Sequence, residues 1–486
     1  MPQSRRILEG PLALQVARFG TPLAIGMALQ TTFNLVDAYL VAQLPPAEVG
    51  PAIGALGICD QIAALGTILS YGVSTAAASL LARHKGAGDD AAIQRSAWQS
   101  ILVVFALSIV FGVLGLGLAG PIVRDVVGAK GGVAIVAERY LRVMVGGSFT
   151  IFFLLQLTTI QRALGSSKTP VSLLVGGNVI NVFFAIVLIY GPGPAPALLS
   201  WGAPVARALG IPRMGMIGAA WATIAARALV LIPTVIVLAQ RHGIVWPDRG
   251  ARGPDPVEIR RLLGLAWPTS AQFVIRIFAM LLVNSIVARA FTTDGDQTAT
   301  TAMGLVFRLD TMALFVAMGW GSAAQTFVGQ NLGAGKTARA AASGWITAAY
   351  DVITNVVLAL LVIAYGEAIL RVFDDDAGPV HIALVYLQIV APSYVGLGVG
   401  VVLGNAMAGA GATRTTFLID AAVILGLQFP LSIVAVAVFH APIETLFRCV
   451  AATNVVSAVV YAAVYGRKRW LNPAGSGVSV SAGERS

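Results

Sequence analysis

Residues 332–342 read LGAGKTARAAA, and an earlier stretch, residues 85–95, reads KGAGDDAAIQR. An offset of 247 places Gly86-Ala87-Gly88 on Gly333-Ala334-Gly335. The same offset pairs Gly57 with Gly304, Gly72 with Gly319, Ala76 with Ala323 and Ala77 with Ala324. An offset of 246 sets Pro22 on Pro268, and ALGSSKT (163–169) on GAGATRT (409–415) with Lys168 on Arg414. One near-constant offset linking three separated segments marks an internal duplication.

Both loops lie between long apolar runs. A membrane helix needs about 20 mostly apolar residues. Twelve runs qualify, at 12–43, 51–82, 97–123, 137–163, 171–191, 216–240, 259–290, 298–330, 340–366, 380–408, 415–439 and 445–466. The chain of 486 residues is 57% apolar and 11% charged, against about 25% charged in an average soluble protein. The expected fold is therefore an all-α integral membrane protein of twelve transmembrane helices. Each repeat holds six spans, an even number, so both halves face the same way. They should be related by a pseudo-two-fold axis along the membrane normal, as parallel repeats are. The expected division is an N-lobe at 11–243, a linker at 244–258, a C-lobe at 259–466 and a disordered tail at 467–486. The linker sits in the most hydrophilic internal stretch, RHGIVWPDRGARGPDPVEIRR (241–261).

Eighteen Lys and Arg residues fall on one side of these spans, from Arg5 and Arg6 through Arg83, Lys168, Lys336 and Arg414 to Arg469. About seven fall on the other, so the first side is expected to be cytoplasmic, with both termini inside and no cleaved signal. The net charge of +10 is then explained by the membrane rather than by nucleic acid. Cys59 and Cys449 suggest neither a disulfide nor a metal site. No HExxH pair or GxxxxGK[ST] loop occurs, and the four histidines (His84, His242, His381, His440) lie in loops or at span ends, which excludes the usual intramembrane catalytic pairs. GAGD and GAGK follow helices rather than strands and read as turns.

A charge at mid-bilayer costs several kcal/mol on most scales, about 2.5–3.5 on insertion scales, so an ionisable group there is a functional hypothesis by default. Asp37, in TTFNLVDAYLVAQL (31–44), is such a group. Read alone, it is either a structural aspartate, paired with a buried arginine or capping a helix break, or a proton-exchanging carboxylate. Burial raises a carboxylate's pKa, so such a group can be neutral in one conformation and charged in another. Arg276 sits mid-span and stays charged. It is expected to pair with Asp310, Asp351 or Asp420, the alternative being a place in a cavity. Arg308 and Asp310, two apart, do not face each other on a helix, so each needs another partner.

The segments GTPLAIGMALQTTFNLVDAYLVAQL (20–44), LLARHKGAGD (80–89) and QTFVGQNLGAGK (325–336) together resemble the multidrug and toxic compound extrusion (MATE) family, bacterial branch, over residues 11–466. The resemblance implies two six-helix lobes in a V around a central cavity. It also implies export of bulky, often cationic small molecules against inward H⁺ or Na⁺, with Asp37 as the coupling carboxylate. Asn34, Asn181, Thr223 and Gln30 become cavity candidates, with Arg276 and Asp310 beside them, and Pro22 and Gly26 become a hinge. Where the family often has a second aspartate, this chain has Ala185. Where Na⁺-coupled members have acidic residues in spans seven and ten, it has Arg276 and the uncharged neighbourhood of Leu397. Protons are thus favoured over Na⁺, with no other cofactor and no metal, in a monomer of the inner (plasma) membrane. The alternatives are a Na⁺-coupled exporter of the same fold and a lipid-linked saccharide flippase of the wider superfamily.

Overall fold

The computed structural model describes residues 7–128, 130–244, 253–293, 295–373 and 376–471. Arg5, Arg6, Arg249, Arg252, most of the expected linker and residues 472–486 of the expected tail lie outside the described residues. Twelve long helices follow one another: α1 (Leu12–Ala42), α2 (Pro46–Ala87), α3 (Asp90–Asp125), α4 (Gly131–Ala163), α5 (Lys168–Tyr190), α6 (Met216–His242), α7 (Pro256–Ala290), α8 (Thr298–Gly333), α9 (Thr337–Arg371), α10 (Ala377–Gly409), α11 (Thr413–Val438) and α12 (Ile443–Gly466). Among the described residues, all but α2 meet the length and hydropathy needed to cross a membrane, and α2 runs for 42 residues. Their outward sides are apolar: Val113 and Leu116 on α3 and Leu360 on α9 are each more than 60% exposed, as a lipid-facing surface requires.

The glycine-rich loops are helix-to-helix turns. Gly88 and Gly335, equivalent under the offset of 247, end α2 and α8 with φ of 75° and 73°, a conformation that favours glycine. Gly165 and Gly411, equivalent under 246, do the same after α4 and α10 with φ of 99° and 84°. Asp89 then caps α3, accepting from the Ala92 N–H at 2.9 Å, so GAGD is stop signal and start signal in one. The helix interruptions repeat as well. α4 breaks at Gly147-Ser148, and α10 at a 3₁₀ turn over Ala391–Ser393.

The pseudo-two-fold axis shows in reciprocal contacts. A Cβ on Gly86 would overlap the Gln330 carbonyl, and one on Gly333 would overlap the Arg83 carbonyl; Gly86 corresponds to Gly333, and Arg83 to Gln330. Gly72 lies on Ser270 and Gly319 on Ala24, another exchanged pair. Ser79 Oγ donates to the Ala408 carbonyl at 2.6 Å, and its equivalent Thr326 Oγ1 donates to the Arg162 carbonyl at 3.4 Å. Ala82 meets its own equivalent, Gly329, which puts that contact on the axis. All these residues lie toward the end that carries Arg83, Lys168, Lys336 and Arg414, called here the basic face.

Helices α1 and α7 each serve both halves. Toward the basic face, Val16, Phe19 and Leu23 of α1 pack with α8 and α10, while Leu262 and Ala266 of α7 pack with α2, α3 and α4. Toward the other face, Leu40 and Val41 join a core built from α2 to α6, and Val283 and Val287 join one built from α8 to α12. The two lobes are therefore knit together at the basic face and have separate cores at the opposite one.

Candidate functional site

Asp37 lies five residues before the end of α1, about 8 Å down at helical rise, on the side where the lobes have separate cores. Asn181 of α5 donates its Nδ2 to Asp37 Oδ1 at 3.0 Å and Oδ2 at 2.9 Å. One turn deeper into the same helix pair, Asn178 Nδ2 donates to Gln30 Oε1 at 3.1 Å. The NxxN spacing sets both amides on one face of α5, opposite residues seven apart on α1. Asn178 was not among the expected residues, although that spacing was readable. Asp37 forms no ion pair among the described residues. Arg227 of α6 acts on it electrostatically from beyond ion-pair reach. The paired-aspartate alternative is thus not what the structure shows.

The remaining N-lobe candidates are placed differently. Thr223 Oγ1 turns back to the Ala219 carbonyl of its own helix at 2.9 Å and makes no bond to Asp37. The side chain of Asn34 lies outside what the structure describes. α1 is continuous through Pro22. Gly26 is a close-packing position, since a Cβ there would stand 2.8 Å from Val171 Cγ1 of α5.

In the C-lobe, Arg276 resolves onto Asp420. Its Nε lies 2.7 Å from Asp420 Oδ2. Gln272 donates to the same oxygen at 2.8 Å, and Tyr461 to Oδ1 at 2.8 Å. The guanidinium also borders a cavity of about 30 Å³ with Phe273, Leu314, Met318 and Asn405, so the pair and the cavity placement hold together. Asp310 accepts from Tyr394 at 2.6 Å and from Tyr386, linking α8 to α10. Arg308 lies 4.8 Å over the Phe373 ring, and borders a cavity of about 270 Å³ between α1, α8 and α9 that also includes Thr31, Met312 and Leu358. As expected, Arg308 and Asp310 have separate partners.

Twelve membrane helices in two pseudo-symmetric lobes, joined at one face and carrying buried charges at their inner contacts, define a membrane transporter. The MatE family model matches the chain twice, over residues 22–187 and 268–434. The two matches begin at the two equivalent prolines and together take in more than half the chain, which belongs to this family. A probable multidrug resistance protein of Bacillus subtilis, YpnP, is 26% identical over 87% of this chain and 88% of its own length. An FAD transporter of Shewanella oneidensis is 21% identical over 88% of each. The fold superposes on an outward-facing multidrug resistance MATE family transporter with a TM-score of 0.84, at 20% identity over 96% of this chain and 98% of that one.

Proposed function

We propose that the protein is a multidrug exporter that exchanges bulky amphiphilic compounds, often cationic, for inward H⁺, with Asp37 as the coupling carboxylate. The observation that carries this is the Asp37–Asn181 contact. Both carboxylate oxygens are held by one neutral amide with no cation bound to them among the described residues, in a half-buried position on the side where the lobes have separate cores. A carboxylate so held can gain or lose a proton without breaking an ion pair. Ala185, buried four residues after Asn181, supplies no second carboxylate for Na⁺, which supports protons. The basic face is cytoplasmic on this reading. The lobes, bounded at 11–243 and 259–466, then open outward, with both termini inside and a monomer in the plasma membrane.

The test is efflux of a fluorescent lipophilic cation from cells expressing wild type or Asp37→Asn at matched levels. Wild type should export the dye until an uncoupler is added, and the variant should fail. An unimpaired variant refutes the coupling role. A second reading, an anionic cargo, is favoured by Arg308, which forms no ion pair among the described residues and borders the larger cavity, and by the FAD transporter among the relatives. Flavin-dinucleotide uptake into inverted vesicles, with no dye export, would select it.

A further inference from the structure

Helix α9 carries a carboxylate that the transport scheme does not use. Asp351 and Asn355, one turn apart, are both fully buried. Asn355 Nδ2 donates to Asp351 Oδ1 at 2.9 Å. Two acceptors are left over: Asp351 Oδ2 and Asn355 Oδ1 are out of solvent and have no donor among the described residues. Against them lies Gly398 of α10, where a Cβ would overlap Asp351 Oδ2 and come within 2.7 Å of Asn355 Nδ2.

Among the described residues, the aspartates deep in the other C-lobe helices have partners on both oxygens. Asp310 takes a hydroxyl on each oxygen, and Asp420 takes a cation, an amide and a hydroxyl. Asp351 has no ion pair among the described residues and one donor for two oxygens. A buried charge without a counter-ion is costly, and each orphaned acceptor adds to that cost.

One proton removes every defect. With hydrogen on Oδ2, the carboxyl becomes neutral and donates to Asn355 Oδ1. Asn355 Nδ2 already donates back to Oδ1, so the two groups close an acid–amide ring with two antiparallel hydrogen bonds. Two free oxygens fall short of the several that a metal cation takes. We propose that Asp351 binds a proton in this acid–amide pair, giving the C-lobe a proton site of its own. The site goes beyond the role assigned to Asp37 and involves none of the same side chains. Loss of the proton leaves a charge with a single donor against the α10 backbone, so the close approach of α9 and α10 at Gly398 is tied to the proton.

The test is infrared absorption of the purified protein in lipid at neutral pH, comparing wild type with Asp351→Asn in potassium and in sodium buffer. Wild type should show a protonated-carboxyl C=O stretch that the near-isosteric variant lacks and that sodium leaves unchanged. Asn355→Leu should keep the band but move it to higher frequency, because both the carbonyl and the hydroxyl lose their partner. Superimposable spectra of wild type and Asp351→Asn, or an unshifted band in Asn355→Leu, overturn the proposal. A band that sodium abolishes overturns it in favour of a metal cation. None of these readings depends on whether Asp37→Asn exports dye.

Discussion

Replacing Arg276 with methionine should destabilise the protein more than replacing Asp420 with asparagine, and the double change should cost less than the two together. Asp420 has a side chain only 2% exposed, whereas that of Arg276 is 19% exposed along the small cavity. Without Arg276, the carboxylate keeps Gln272 and Tyr461 at 2.8 Å, but both are neutral. Stripping one partner from a buried pair costs about 3–5 kcal/mol. Asparagine at 420 keeps the shape and leaves the guanidinium beside the cavity, where partial exposure reduces the loss to about 2–3 kcal/mol. The double variant holds no buried charge at this point, so the coupling should be about 2 kcal/mol, inside the range for residues sharing one network. Thermal unfolding of wild type, both single variants and the double variant in one detergent at one heating rate reads the cycle as midpoints. Strictly additive shifts, or a wild-type midpoint for Arg276→Met, would show that the pair does not hold α7 to α11.

The reciprocal glycine contacts make a symmetric prediction. Gly86→Ala and Gly333→Ala each drive a Cβ into a backbone carbonyl that cannot rotate away, so each should destabilise the protein by about 1–3 kcal/mol, as at other overpacked sites, and lower the thermal midpoint by a similar amount. A large loss in one and none in the other refutes the exchange. Tyr386→Phe and Tyr394→Phe each remove a hydroxyl from the Asp310 carboxylate, which should cost about 1.5–3 kcal/mol apiece in the same assay; unchanged midpoints refute the assignment.

What was legible in the sequence is what backbone proximity writes into it. Twelve apolar runs fix a membrane fold, and a constant offset fixes the duplication, because Gly86, Gly333, Gly88 and Gly335 answer to contacts and φ angles that few other residues tolerate. Asp37 and Asn181 are each named through the family resemblance, but the bond between them comes from the structure, and Asp420 is one of three partners weighed for Arg276. Choosing among Asp310, Asp351 and Asp420 requires knowing which faces of α8, α9 and α11 meet α7. Hydropathy carries no such information when a helix is apolar all round. Asp351, the second of the three partners weighed for Arg276, is instead bonded to an amide on its own helix. Thr223 shows the converse, a side chain that satisfies itself on its own turn and needs no partner in the site.

The duplication holds at the reciprocal glycine contacts between the lobes and fails at the charges inside the spans. Under the offset of 246, Val41 corresponds to Val287, and both are core residues of their lobes. Under the same offset, Asp37 corresponds to Val283, which is buried in apolar surroundings, so the C-lobe cannot repeat the Asp37 contact. Gln30 corresponds to Arg276. The α1–α5 clamp is therefore a neutral amide pair, Gln30 with Asn178, while the α7–α11 clamp is an ion pair, Arg276 with Asp420. The proposed C-lobe proton site lies instead on α9, at a position whose N-lobe counterpart under an offset of 247 is Val104, itself fully buried. On the proposed scheme a proton arriving at Asp37 changes the charge of the N-lobe only, in a helix pair whose deeper contact joins two neutral amides, while the equivalent helix pair across the axis is held by opposite charges. On the proposed scheme this asymmetry gives the exchange a side: the lobe with the neutral clamp responds to the proton, and the lobe with the ionic clamp is the body it moves against.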